Sequence, residues 1–224
     1  MKKQIKIRMA DAFSRFLPAK YANLLQCSEK GLFSQYFVSS RHDMEHQWAT
    51  MIWPLISNFD FTSVLELGPG AGRNTEKLCT VSKRIVAVDF NEYALQECRK
   101  ALTNACHNCE LVFQRNNGKD LRMIASGSIS AIYCWDTAVH FERTVFKGYV
   151  TEFGRVLKPG GCGFVHHSNL GISASRNFKR NRGWRSNVDK GFVTECCKGA
   201  KLGIVAQVEV PWVETVDCAT VFVK

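Results

Sequence analysis

The chain has 224 residues, of which 46% are hydrophobic, and a formal net charge of +10. That length and apolar share exclude a disordered or fibrous chain and suit one α/β domain with a single sizeable core. No uncharged apolar run reaches the ~18 residues of a membrane span, and the basic excess is spread along the chain instead of being gathered in an arm, so charge alone names no partner.

The first 25 residues are basic, with Ile5, Ile7, Met9, Phe13, Phe16 and Leu17 interspersed. They read as a terminal helix capping the core or a substrate cleft, or as an amphipathic helix on an anionic membrane surface. They lack the apolar stretch of a secretory signal. Residues 31–40 form a linking loop, and residues 41–56 look helical, with Met44, Trp48, Met51 and Ile52 on one face and Pro54 near the end. Residues 1–60 are therefore expected to be an N-terminal helical segment attached to a single domain over 61–224.

That domain is organised around VLELGPGAGRNT, residues 64–75. Apolar strand positions run into Gly68, Gly70 and Gly72, and a helix-compatible stretch follows through Leu78. This pattern predicts a buried strand, a sharp turn and a helix start, with glycines that let a ligand approach the backbone amides. A second strand begins at Arg84 and ends on Asp89, where a carboxylate can accept hydrogen bonds from both hydroxyls of a ribose. The spacing is GxGxG and not the GxGxxG of a dinucleotide fingerprint. Glu66, two residues before the first glycine, would repel a pyrophosphate and suits a cationic ligand such as a sulfonium or an amino group. The expected ligand is a positively charged nucleoside.

A helix follows Asp89, with Ala94, Leu95, Cys98 and Leu102 on its inner face. The third strand covers 110–114. A fourth, SISAIYCWD, runs into TAVHFE, and a helix over 143–156 stops at LKPGG because Pro159, Gly160 and Gly161 make a turn no helix continues through. Residues 163–167 form the fifth strand and end in HHSN. A polar, basic loop over 171–187 comes next, of a size that is usually functional or mobile. A helix over 188–201 and two strands, 203–211 and 215–223, close the chain as a hairpin. Ten cysteines are scattered among these elements and read as reduced, mostly buried thiols of a cytoplasmic protein. Cys106 and Cys109 form a CxxC, and Cys196 and Cys197 are adjacent, but no second CxxC or histidine pair completes a zinc finger.

The glycine turn with Glu66 and Asp89 resembles motifs I and II of the class I S-adenosylmethionine-dependent methyltransferases. RVLKPGG, residues 155–161, resembles the stretch before that family's fifth strand. The resemblance covers residues 61–224. It implies a Rossmann-like, seven-stranded, mostly parallel sheet with helices on both faces and a reversed terminal strand. It also implies that Glu66, Gly68, Gly70 and Gly72 hold S-adenosylmethionine with Asp89, Phe90 and Trp135. The family usually places an Asp at the adenine amino group; here Asn117 has that position, next to Gly118, and offers a carbonyl acceptor without charge. Ser130 stands where many relatives carry an acid.

Ligands of open α/β sheets bind beyond the carboxyl ends of the strands. Those ends carry Trp135, Asp136, His140, Glu142, His166, His167, Ser168 and Asn169. An alcohol acceptor does not ionise near neutral pH, so its methylation needs a base or a metal. His140 is the expected base, helped by Asp136 and His167, because a neutral imidazole can accept a proton. A second route holds Mg2+ on Asp136, His167 and Asn169, an arrangement similar to that of metal-dependent catechol-type O-methyltransferases.

WDTAVHFE, RVLKPGG, GFVHHSNLG and the later RGWRS and DC resemble a bacterial branch linked to polysaccharide and sugar modification. That resemblance implies O-methylation of a sugar, glycan end or other polyol. Trp135, Trp184, Trp212 and Phe141 either supply stacking faces for sugar rings or pack in the core, core packing being the better reading for Trp212, and Arg73, Arg182, Arg185, Asn169 and Asn187 are placed to reach hydroxyl or phosphate oxygens. Peripheral contact with a membrane surface or with glycan-synthesis enzymes would suit such a role. The alternatives are an RNA or protein methyltransferase, although nucleic acid is not expected without a binding module or an NPPY-type motif at CWDT, and a non-catalytic cofactor-binding module of a glycan-synthesis assembly.

Overall fold

The computed structural model describes residues 44–103, 105–174, 181, 185–212 and 215–224. Helix α1 is built of three consecutive pieces, Met44–Gln47, a π-helical turn Trp48–Ile52, and Trp53–Ile56, with Pro54 in the first turn of the last piece. Proline is tolerated there because first-turn N–H groups have no intrahelical partner. The basic segment over 1–25 and the loop over 31–40 lie outside the described residues, as do Arg182 and Trp184 and the side chain of Trp212.

The domain then runs β1 (Val64–Leu67), α2 (Arg73–Cys79), β2 (Arg84–Asp89), α3 (Glu92–Leu102), β3 (Glu110–Arg115), β4 (Ile129–Cys134), α4 (Arg143–Val156), β5 (Leu157–His167), α5 (Lys190–Gly199), β6 (Gly203–Trp212) and β7 (Thr215–Val223). These make one seven-stranded sheet in the order β3-β2-β1-β4-β5-β7-β6. Strands β1 to β5 pair in parallel, and β7 runs antiparallel to both β5 and β6. The chain leaves β1 toward β2 and β3 and then crosses back to β4. The order therefore switches beside the glycine turn, which is where such sheets open a ligand crevice.

Strand periodicity sorts the two faces. Val64, Ile85, Ala131, Tyr133 and Phe164 pack with Ile52 and Ile56 of α1 and Leu78 of α2. Leu65, Val86, Ile132 and Val165 pack on the other face with α4 and α5. In α4 the residues Phe146, Tyr149, Val150, Phe153 and Val156 are all buried, a helical stripe in which each side chain contributes about 1.5–3 kcal/mol. Caps set two helix starts: the Asn91 side chain accepts from Tyr93 N, and Asp189 accepts from Phe192 N.

Two expectations change. The LKPGG turn does not precede β5 but lies inside it. Leu157 pairs with Ile129, and the register then shifts so that Cys162 meets Ala131. Gly160, at φ 75°, sits at that irregularity, and its N–H donates to Lys224 O. Nor are all the thiols reduced: Cys79 at the end of α2 and Cys106 form a disulfide with Cα atoms 5.6 Å apart. This takes Cys106 out of the CxxC and leaves Cys109 as a buried free thiol. Cys196 and Cys197 lie on the inner face of α5, buried in the core. Ser130, in place of an acid, is buried, and its hydroxyl accepts from Ser63 N and donates to Asp60 O, tying β4 to the entry of β1.

Candidate active site

The glycine turn owes its shape to close packing as much as to open space. Gly68, Gly70 and Gly72 all have positive φ, at 75°, 57° and 84°. A Cβ on Gly68 would fall 2.3 Å from the Thr137 side chain, whose hydroxyl donates to Gly68 O. A Cβ on Gly72 would meet Cys98 Sγ at 3.0 Å and Leu102 just beyond it. Two of the three glycines thus let β4's following loop and α3 press against the turn, and they hold it where its amides end β1. Tyr133 Oη donates to Asn74 Oδ1, both buried, and anchors the start of α2.

Glu66 is 1% exposed at the end of β1, on the α1 side of the sheet, and its Oε2 has no hydrogen-bond partner. Burial pushes its carboxyl up to about 7; a hydrogen bond from the Thr75 side chain opposes that, and the charge of Asp89 adds to it. Burial also raises Asp89 to about 6, against hydrogen bonds from the backbone of Asn91, Phe90 and Gly70. Two acids with raised pKa values flank one turn; near pH 7 Glu66 is about half protonated and Asp89 mostly ionised. A buried acceptor without a donor is costly, and a ligand cation next to it would remove that cost. Gly68 N is spoken for, since it donates to Val88 O at 2.8 Å.

Beside this turn, Phe90 is exposed at the end of β2 and faces Gly118, whose Cβ position lies 3.4 Å from it. Asn117, the expected adenine contact, is not free for that work: its Oδ1 accepts from Lys119 N and Asp120 N, and its Nδ2 donates to Asp120 Oδ2. It closes its own turn, as Asn commonly does.

After β4 the chain passes Trp135 and Asp136 into a 3₁₀ turn, Ala138–His140. His140 is half-buried there, three residues from the Thr137 that touches Gly68. Trp135 does not offer an open stacking face. It lies parallel to Phe164, with ring centroids 5.8 Å apart, and is covered by His166 at 4.2 Å, while its indole N–H donates to Gln47. Phe141 stacks on Tyr149.

The structure corrects the roles of His167 and Asn169. Successive strand residues face opposite sides, so His166 joins Phe164 on the α1 side while His167 points to the α4 side, edge-on to Phe146. His167 is fully buried; its Nδ1 lies 2.7 Å from Ser168 O and its Nε2 2.8 Å from Thr220 Oγ1. Burial holds its pKa down near 4. With both nitrogens engaged, it can be neither base nor ligand. Asn169 Oδ1 accepts from Lys190 N at the start of α5. Asp136, His167 and Asn169 therefore do not converge on a cation, and among the described residues no group of three His, Cys, Asp or Glu side chains does. The Mg2+ expectation does not fit this donor set.

Instead Asp136 sits in a charged network that the sequence did not reveal. Its Oδ2 accepts from Arg73 at 2.8 Å, and its Oδ1 lies 3.6 Å from Arg185. Arg185 Nε donates to Asp217 Oδ2 at 2.8 Å, with Nη2 paired to the same oxygen at 2.8 Å, and Asp217 lies 3.4 Å from His166 Nε2. Next to this network a cavity of about 40 Å³ opens between Gln47, Met51, Trp135, Asp136, His166, Val210 and Pro211. It is room for a water or a small substituent, not for a ring. No helix of the described residues is long and apolar enough to cross a membrane.

A family described as "Methyltransferase domain" matches residues 64–161, from the first residue of β1 into β5. No curated protein sequence matches the chain. Among solved structures, a protein from Pyrococcus horikoshii OT3 is similar at TM-score 0.64 and 19% identity, covering 81% of this chain and 90% of that one. Magnesium protoporphyrin IX methyltransferase from Synechocystis PCC 6803, with bound SAH, aligns at TM-score 0.63 and 11% identity over 84% of each chain. A SAM-dependent methyltransferase from Methanosarcina mazei aligns at TM-score 0.60 and 14% identity, over 76% of this chain and 97% of that one.

Proposed function

We propose that the methyltransferase domain of residues 64–161 takes S-adenosylmethionine as donor and methylates a hydroxyl oxygen of a sugar, a glycan end or another polyol. One observation carries the donor half: the buried, unpartnered Glu66 Oε2 beside the Gly68–Gly72 turn, with Asp89 at the adjoining strand end. A cationic nucleoside satisfies both acids at once. The donor supplies an electrophilic methyl group on a sulfonium. Asp89 would take the ribose hydroxyls, Phe90 and Gly118 would flank the base, and Glu66 would face the positive end.

For the acceptor half, His140, in the turn after β4 and three residues from the Thr137 that packs on Gly68, is the base in this reading, since His167 is committed to Ser168 and Thr220. It would take the hydroxyl proton as the oxygen attacks. Support for a sugar or polyol comes from the resemblance of WDTAVHFE, RVLKPGG and GFVHHSNLG to glycan-modifying enzymes. The Synechocystis protein names a porphyrin acceptor, so carboxylates belong in the test as well.

The test is S-adenosylhomocysteine release over sugars, glycolipids, phenols, carboxylates, RNA and protein, with magnesium and with chelator. Turnover of a hydroxyl acceptor that chelator leaves intact is expected. His140→Ala should lower that turnover by about 100-fold or more while S-adenosylhomocysteine affinity stays within about twofold. Turnover confined to RNA, protein or carboxylates overturns the acceptor assignment.

A further inference from the structure

Asp136 is one of two non-glycine residues with positive φ among the described residues, at 56°. An L-residue stays in that region only where its surroundings hold it. Here the hold comes from two directions that share one origin. His166 Nδ1 accepts the Asp136 backbone N–H at 3.2 Å, and the other ring nitrogen, Nε2, lies 3.4 Å from Asp217 Oδ2. Arg185 approaches the Asp136 carboxylate at 3.6 Å and is itself held by Asp217 through both Nε and Nη2. Asn181 clamps the Arg185 backbone, accepting from its N–H and donating to its carbonyl. Asp217, fully buried on β7, is therefore the common support of the backbone and the side chain of Asp136. From Asp136 the contact passes to Arg73, the first residue of α2 and the neighbour of Gly72.

We propose that Asp217 is a positioning residue for the donor site, acting through Arg185, His166 and Asp136 on Arg73 at the edge of the glycine turn. The inference rests on the donor reading above. Two cations and two anions balance, but burying such a set is a poor way to gain stability, and Asp217 Oδ1 is left without a partner. An arrangement that leaves a buried oxygen unsatisfied makes sense as geometry held for a purpose. The network also joins parts of the chain that only the sheet order brings together: β7 supports the loop after β4, and that loop supports the start of α2. Arg185 belongs to the segment before α5, so the same ring links that segment to the turn.

The test is a double-substitution cycle read by calorimetry with S-adenosylhomocysteine. Asp217→Asn should weaken binding about tenfold in the unsubstituted chain and change it by less than about twofold in an Arg73→Met background, because the route is already cut there. Should Asp217→Asn fail to fold, Asp217→Asn combined with Arg185→Gln removes both charges together and should show the same dependence on Arg73. Equal weakening in both backgrounds, or none in either, overturns the inference. An unsubstituted chain that gives no binding heat overturns the donor reading itself and this inference with it, a result distinct from normal binding without coupling.

Discussion

The raised carboxyl of Glu66 makes donor binding depend on pH in a direction opposite to simple acid tolerance. With the unliganded pKa near 7, Glu66 is mostly ionised at pH 8 and mostly protonated at pH 6. A cationic ligand prefers the ionised form, so binding must first remove the proton. The population factor is 1 + 10^(7−pH), which rises from about 1.1 at pH 8 to about 11 at pH 6; affinity should fall about tenfold, or ~1.4 kcal/mol. Asp89, near 6, adds about another factor of two by the same arithmetic. Calorimetry with S-adenosylhomocysteine, which keeps the amino group, in two buffers of different ionisation enthalpy measures both the affinity and the released proton. Near pH 7 about half a proton from Glu66 should leave on binding. Glu66→Gln should bind weakly at every pH, with only the shallow Asp89 slope left. Affinity that is flat or tighter on acidification, or a Glu66→Gln profile matching the parent, would refute the reasoning.

The same shift governs stability. A carboxyl whose folded pKa is raised binds protons more tightly when folded, so stability falls as pH rises from about 4.5 toward 7; the unliganded protein should gain about 1 kcal/mol on going from pH 8 to 6.5, seen in chemical denaturation and absent in Glu66→Gln. Below about 6.5 His167 opposes this, because its folded pKa near 4 means the unfolded chain takes up the proton first and stability drains away as pH falls toward 4. His167→Ala should cost about 2–4 kcal/mol of stability by stranding Ser168 O and Thr220 Oγ1, yet leave S-adenosylhomocysteine affinity within about twofold; loss of binding at unchanged stability would return His167 to the site. Gly68→Ala should destabilise the fold by about 2 kcal/mol or more, since its Cβ would meet Thr137 at 2.3 Å, and a normal melting temperature would show that the turn can open away from β4.

What the amino-acid sequence determined by itself is what nearest neighbours along the chain decide. The run of apolar residues into three glycines implies a strand, a turn and a helix start. Glu66 and Asp89 close two adjacent parallel strands, and the stripe from Phe146 to Val156 has one face to bury. Each signal is written within one or two elements, and each appears where expected. Even the misplacement of LKPGG is local: the turn exists, but the sheet absorbs it as an irregularity of β5.

The polar half of the site was decided elsewhere. His166 and His167 are chemically alike and adjacent; only the packing of α1 on one face of β5 and α4 on the other gives the first to the crevice and the second to the core. Because β5 is buried on both faces, hydrophobic alternation held no clue to that choice. Asn117 lost its expected task to two backbone amides of its own turn. Arg185 and Asp217 stand 32 residues apart and meet because β7 inserts between β5 and β6, an order that no local pattern encodes. Ion pairs across a sheet are set by which strands become neighbours, and that is a property of the whole chain's packing, not of any stretch of it.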